Sequence, residues 1–399
     1  MSVIDEISLT GELTEEQKAI QQLARTFAQK EVLPLANELD PLGEEFPEAL
    51  LAKMGEMGFF GIMTPTEYGG LGLGALEYVL VTEELSRAWM SVGSVIRTGT
   101  LPPSLPEERR AELLPRAARG EYRGAFSLSE PQAGSDVANI GTRARRDGSD
   151  WVLNGAKMWC TWADKADFIV LYARTGPPES GKRHRGISAF FVEKERGRFP
   201  KGMNGTPVRK IGYHGWKTWE LGLDDLRLPG DALLGGEGKG FYAGLESLEL
   251  ARVHTAARAV GLARGALEDS IAYVHQRVQF DQPIANFQAI RFKIAQMAAD
   301  IETARQLAHS VARLLDAGRP CALQASMAKL VASEMAERVT SEGIQIHGGA
   351  GYTTDFQVER YWRDARLTKI FEGTSEIQLR IISDRILGRP DPVRAGPQT

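Results

Sequence analysis

The spacing of apolar residues changes period twice along this chain, and few architectures satisfy both changes. From Thr14 to about Leu85 they recur at helical intervals, as in Ile20, Leu23, Ala24, Phe27 and Ala28, with breaks at Pro34, at PLGEEFP (41–47) and at Gly69 to Gly74. From about Gly124 the chain turns to short runs rich in β-branched and aromatic residues: AFSLS, DWVLNG, DFIVLYA, GISAFFVE and WELGLDDLRL. Gly, Asp, Asn and Pro separate them. After Gly240 the helical period returns, predicting helices over 241–276, 286–316, 321–346 and from Thr374 to about Leu387. Alanines at 256, 257, 259 and 263 permit close helix contact, as in a four-helix bundle. The expectation is an α+β, multi-layer chain: an N-terminal α-helical domain (1–122), a middle β-barrel or sandwich domain (123–231) and a C-terminal four-helix bundle (232–399). The tail after Arg389 is expected to be disordered.

Composition narrows the function classes. Lys and Arg (48) nearly balance Asp and Glu (52), so the strongly basic face of a nucleic-acid binder is not expected. Two distant cysteines, Cys160 and Cys321, form no CxxC, and neither a disulfide framework nor a metal site is expected. The acidic, helix-patterned N-terminus resembles neither a secretory signal nor a transit peptide, and no run of apolar residues is long enough for a membrane span. A cytoplasmic protein is the expectation.

Three segments carry candidate chemistry. In KIFEGTSEIQ, Glu372 stands between the apolar Ile370–Phe371 pair and a Gly-Thr-Ser that reads as a helix start. Two roles compete: a buried general base, or a first-turn carboxylate complementing the helix dipole. Burial would lift its pKa from ~4.3 towards ~7, about 3.7 kcal/mol at ~1.36 kcal/mol per unit. LSEPQAGSD (128–136) offers Ser129, Ser135 and backbone amides around a turn, suited to a polar heterocycle or a phosphate-bearing chain. NGAKMWCTWADKAD (154–167) offers the face of Trp159 and, two residues on and on the same side of a strand, the hydroxyl of Thr161. Each of the last two also reads as part of a plain hairpin. GGLGLG (69–74) lacks GxGxxG spacing and a preceding strand, so it reads as a helix connection.

Taken in order, LSEPQAGSD, NGAKMWCT, RVQFDQPIANFQAI (277–290), QIHGGAGYTTDFQVERYWRDAR (345–366) and FEGTSEIQ (371–378) resemble the motifs of the acyl-CoA dehydrogenase family, over about residues 14 to 389. The resemblance implies FAD as cofactor. Leu128 and Ser129 would contact the pyrimidine side of the isoalloxazine, Trp159 would flank the ring, and Thr161 would hydrogen-bond its N5. Arg277, Phe280, Gln345 and Gly349 would hold pyrophosphate and adenosine across a subunit interface, with Thr374 and Glu376 as further contacts. A homotetramer, a dimer of dimers, is implied. Glu372 falls on the catalytic base, which removes the α proton of an acyl-CoA while the β hydrogen leaves as hydride, giving a trans-2-enoyl-CoA. Some branches carry the base at the position of Ala251, which cannot remove a proton. Arg252 and Glu249 would line the acyl-CoA channel and Ser135 would lie near the pantetheine, while the KRHR loop (182–185) is a candidate for the CoA 3'-phosphate.

The segment GSVIRTGTLPPSLP (93–106) is shorter than its family counterpart, which walls the acyl pocket. Arg97 lies in it, in a region where glutaryl-CoA dehydrogenases bind a distal carboxylate; it reads either as a partner for an anionic acyl terminus or as a surface or interface arginine. The leading reading is a dehydrogenase passing electrons to an electron-transferring flavoprotein. An acyl-CoA oxidase or flavin monooxygenase on the same fold, and a non-catalytic acyl-CoA binder, are the alternatives.

Overall fold

The computed structural model describes residues 13–178, 182–241 and 248–388. The expected disordered tail (390–399) lies outside them, as does all but Phe241 of the expected start of the first bundle helix (241–247).

The N-terminal helices are α1 (Glu15–Phe27), α2 (Leu33–Leu39), α3 (Glu48–Glu56), α4 (Ala75–Ala88), α5 (Met90–Val95) and α6 (Glu107–Ala118). Thr14 starts α1 with a reciprocal cap: its hydroxyl accepts from the N–H of Gln17 at 3.2 Å, and the Gln17 side chain accepts from the N–H of Thr14 at 3.1 Å. The GGLGLG segment is a connection. Its last residue, Gly74, caps α4, and the Asp316 carboxylate accepts from the N–H groups of Ala75 and Leu76, where a phosphate would otherwise be drawn.

One eight-stranded sheet follows: β1 (Gly124–Ser127), β2 (Arg143–Asp147), β3 (Asp150–Thr161), β4 (Phe168–Arg174), β5 (Ile187–Glu193), β6 (Met203–Pro207), β7 (Thr218–Leu228) and β8 (Leu233–Leu234), in the order β6-β7-β3-β2-β4-β5-β8 with β1 parallel to β4. β4 and β5 are buried on both faces. Phe168, Val170 and Tyr172 pack with Phe191 and Leu113 on one side, while Ile169, Leu171 and Ala173 join Trp151 and Phe190 on the other. This double burial explains why their sequences are continuous apolar runs instead of alternating ones. The charged RARRD of β2 exposes four of five residues, which hid it from the apolar pattern.

The C-terminal part holds α7 (Leu248–Gln276), a two-stranded ribbon β9 (Val278–Gln279) and β10 (Gln282–Pro283), α8 (Gln288–Asp316), α9 (Ala322–His347), α10 (Val358–Thr368) and α11 (Ser375–Leu387). Helix α10 was not marked by apolar spacing, because five charged residues crowd around Val358, Tyr361 and Ala365; those three are fully buried. α4 is buried almost throughout and ties the two helical parts together. Its Glu83 meets Arg264 of α7 at 2.8 Å and Arg305 of α8 at 3.0 Å, and Glu84 also binds Arg264. Burial pushes the Glu83 carboxyl up, but Arg305 and Arg264 outweigh it and bring it to about 2.

Replacing Asp316 by Ala removes the acceptor for two N–H groups of α4 and should lower stability by about 1 kcal/mol. The check is urea unfolding: a lower midpoint at unchanged slope is expected, and an unaltered midpoint would show that the cap is redundant.

Candidate active site

Glu372 sits in the tight loop between α10 and α11, where Phe371 donates to the carbonyl of Leu367 and Ser375 to that of Lys369. Its φ is 54°, left-handed for a residue with a Cβ, and Gly373 follows at 92°. The cap of α11 is Thr374, whose hydroxyl accepts from the N–H of Ile377 at 3.3 Å. The capping role is therefore taken, and the Glu372 side chain turns inward instead. Its Oε1 accepts from Arg97 Nη1 at 2.6 Å; its Oε2 accepts from Arg258 Nη2 at 2.8 Å and from the Thr255 hydroxyl. Among the described residues its own N–H has no hydrogen-bond partner.

Arg258 is nearly inaccessible and fixed from several sides. Nη1 donates to Ser94 Oγ at 2.9 Å, Nη2 also donates to Thr255 Oγ1 at 2.8 Å, and the guanidinium lies 4.5 Å from the centre of the Phe371 ring. Next to it His254 Nε2 donates to the carbonyl of Gly93 at 3.0 Å, and Lys329 Nζ donates to the carbonyl of Gly373 at 2.7 Å.

The expected upward pKa shift of Glu372 is overturned. Burial does push the carboxyl up, but the cations of Arg258 and Arg97 outweigh it and bring the group down to about 2. The apolar neighbours were visible beside Glu372 in sequence, whereas the arginines arrive from 275 and 114 positions away. Arg97, with its side chain partly exposed, is bonded to the candidate base. Arg258 and Thr255 were missed, since in sequence they lie on an ordinary alanine-rich helix face.

The β-domain candidates meet elsewhere. Lys157 and Glu130 form a wholly buried pair at 2.8 Å, and Lys157 also donates to the carbonyl of Leu128 at 3.2 Å. Met158 donates to the carbonyl of Ser129 at 2.9 Å, so the LSEPQAGSD turn is tied to β3. Within β3 the register slips between Lys157 and Cys160, and Trp159 takes φ 64°. The regular alternation used to place Trp159 and Thr161 on one side is broken there by the irregularity. The Trp159 indole is 55% exposed, and Thr161 shares a hydroxyl–hydroxyl bond of 3.1 Å with Thr218. Ser135 is exposed beside Asp136, which holds Arg183 of the KRHR loop at 2.9 Å; Arg183 lines a cleft of about 500 Å³ with Arg143 and Arg174.

Arg277, Phe280, Gln345 and Gly349 are exposed at the far ends of α7 and α9, which Tyr273 and His347 join through a 3.3 Å bond. Twenty-two positions separate Thr255 from Arg277, about 33 Å of helix, so on one chain this group lies far from Glu372. Glu249 accepts from Cys321 Sγ at 3.2 Å and makes no ion pair with Arg252 among the described residues; Arg252 Nε is buried without a partner there. Glu376 is exposed in the first turn of α11.

Three family models match consecutive parts of the chain: the N-terminal domain of acyl-CoA dehydrogenase over 14–121, its middle domain over 125–226 and its C-terminal domain over 238–387. The chain belongs to the acyl-CoA dehydrogenase family. It is 41% identical to an acyl-CoA dehydrogenase of Bacillus subtilis over 94% of this chain and 99% of that one. It is also 41% identical to an NADH-dependent acryloyl-CoA reductase of Anaerotignum propionicum, over 94% and 96%. Butyryl-CoA dehydrogenase from Megasphaera elsdenii superposes with a TM-score of 0.88 at 35% identity, covering 94% of this chain and 99% of that one. Acyl-CoA dehydrogenases are flavin-dependent oxidoreductases. Among the described residues no helix is long and apolar enough to cross a membrane.

The clamp on Glu372 makes stability depend on acid. Its folded pKa of about 2 lies below the usual 4.5, so the stabilisation is complete above pH 4.5 and is lost as pH falls through 2. Glu372→Gln should be less stable than the native protein by about 3 kcal/mol at neutral pH, narrowing steadily below pH 4.5. Urea midpoints measured at several pH values check this; a gap independent of pH would mean that the arginines do not hold the carboxylate.

Proposed function

We propose that this acyl-CoA dehydrogenase oxidises an acyl-CoA thioester to a trans-2-enoyl-CoA, with Glu372 removing the α proton and FAD as cofactor. The observation that carries the reading is the inward carboxylate of Glu372 on a left-handed backbone, beside an N–H with no partner among the described residues. That N–H can donate to the thioester carbonyl as charge develops on it, while the carboxylate faces the α carbon. Ala251, buried on α7, offers no competing acid.

The residues present fit a flavin. An exposed indole at the irregular turn of β3, the Thr161 hydroxyl and the tethered Leu128–Ser129 turn suit a flat heterocycle with polar edges. Arg277 suits a pyrophosphate, with Phe280, Gln345 and Gly349 around it; Thr374 and Glu376 stand at the start of α11. When bound, FAD supplies the two-electron acceptor for the β hydrogen. The Arg277 group lies about 33 Å along α7 from Thr255, which supports a cofactor shared between two copies of the chain. The exposed Phe280, Phe292 and Tyr352 favour such an assembly, read here as the homotetramer. Arg252, Glu249 and Ser135 are the proposed channel contacts. An electron-transferring flavoprotein is the proposed electron acceptor.

Anaerobic addition of butyryl-CoA and glutaryl-CoA to the yellow holoenzyme tests this. Bleaching without oxygen uptake is expected; peroxide formation would indicate the oxidase, and a protein that binds no flavin would refute the reading. Glu372→Gln should retain its colour and bleach about 10²–10⁴-fold more slowly. Undiminished bleaching in that variant would remove Glu372 from the role.

A further inference from the structure

We infer that Lys210 and Thr218 are positioning residues for the cofactor: the Lys210 ammonium, acting through the Thr218 hydroxyl, fixes the Thr161 hydroxyl as a hydrogen-bond donor towards the flavin. The inference rests on the flavin reading above.

Thr161 and Thr218 are the last pair of the β3–β7 ladder, and their hydroxyl oxygens lie 3.1 Å apart. Two hydroxyls at that distance can be joined in either direction. Lys210 removes the ambiguity. It lies in the loop before β7, and its Nζ donates to the carbonyl of Tyr213 at 2.8 Å, to the carbonyl of Trp216 at 2.7 Å and to Thr218 Oγ1 at 3.2 Å. An ammonium has three donors and no acceptor, so its hydrogens are all engaged and Thr218 accepts from it. Among the described residues the Thr218 hydrogen then has one hydrogen-bond acceptor, Thr161 Oγ1. Thr218 is 5% exposed, and the reverse arrangement, with Thr161 donating to it, would strand a buried hydroxyl hydrogen. The direction is therefore Lys210 to Thr218 to Thr161. Thr161 is the half-buried member of the pair, and its own hydrogen is left for a partner on the open side.

Charge heads this chain of bonds. Burial pushes the Lys210 ammonium down to about 8 against the opposing charges of Asp364, Glu45 and Asp40, so it is still mostly a cation near neutrality. A charged donor strengthens the bonds that follow it. The backbone holds the frame: Val208 donates to the carbonyl of Thr218 at 2.8 Å, and Trp162 donates to that of Lys217 at 2.9 Å. Tyr213, whose carbonyl Lys210 holds, also donates to Asp364 and meets the Phe371 ring, so the chain of bonds shares a support with Glu372.

An oxidised flavin presents N5 as an accepting nitrogen, and a donor already aimed at it loses little rotor freedom on binding. A C–H in the same place gains nothing from that donor. The preference between the two therefore reads the direction of the Thr161 hydroxyl.

Equilibrating the full-length holoenzyme with mixtures of FAD and 5-deazaFAD, in which C–H replaces N5, and reading the bound ratio by absorbance tests this. Native protein should prefer FAD by about 10-fold, the value of a charge-assisted bond. Thr218→Val preserves shape and both carbonyl contacts of Lys210, and should cut that preference by about 3-fold or more. Lys210→Met should do the same, and Thr218→Ser should keep the native ratio. A native ratio near one, or a ratio that Thr218→Val leaves untouched, overturns the proposal; a purely structural role would weaken both ligands alike and leave the ratio unmoved. No thioester enters this measurement, so a holoenzyme that no acyl-CoA bleaches would defeat the dehydrogenation reading and leave this inference standing. A chain that binds neither ligand defeats the flavin reading and this inference together.

Discussion

The close approach of α4 to α7 is the constraint on which the candidate site depends. A Cβ at Gly261 would stand 2.4 Å from the carbonyl of Glu83, and one at Gly265 would stand 2.9 Å from the Tyr361 ring and 3.2 Å from the carbonyl of Arg87. No larger residue fits without separating the helices. His254, Arg258, Gly261 and Gly265 follow one face of α7, so the same contact continues upward from the glycines to Gly93 and Ser94 of α5. Arg97 follows two residues after Val95, at the end of that seam. The alignment of Arg97 with Arg258 is thus a consequence of two glycines a turn or two away, reinforced by Arg264 and Arg305 on the carboxylates of α4.

A second convergence brings in the β domain. Asp40 accepts from Arg363 at 2.6 Å and from the indole of Trp89 at 3.1 Å, and its backbone carbonyl meets His214 at 3.0 Å. Asp364 in turn accepts from the N–H of Tyr213 at 2.6 Å, and the Tyr213 ring meets Phe371 edge-on at 6.1 Å. Burial first, and then the nearby Asp40 charge, push the Asp364 carboxyl up to about 7. These contacts pin the loop before β7 against α10 and so against the residue preceding Glu372. All three sequence regions therefore bear on a single loop of a few residues.

How much of this was legible follows from the range over which each signal acts. The long helices and the doubly buried strands declared themselves through local period, because burial of a face or of both faces is written into neighbouring residues. β2 and α10 did not, because charge covers most of the first and crowds the second. Glu372 itself stood out through its local string. What sequence could not supply was the sign of its pKa shift: the desolvating Ile370 and Phe371 are neighbours, while Arg97 and Arg258 come from other elements. A strand alternation likewise cannot announce the register slip that left Trp159 exposed, since it depends on pairing with β7.

The low pKa of Glu372 and its place in the fold belong to one argument about strain and charge. A left-handed glutamate costs about 1–2 kcal/mol, and such geometry persists only where surroundings over-determine it. Three donors do so here, and Thr374 has relieved the residue of any capping duty. Yet a carboxylate near 2 is poorly matched to a proton held on carbon, so the clamp that builds the geometry also weakens the base. The two arginines differ in how firmly they are held. Arg258, sealed between α5 and α7, keeps the carboxylate aimed, and Arg97, partly open to solvent, adds the second charge from the outer side.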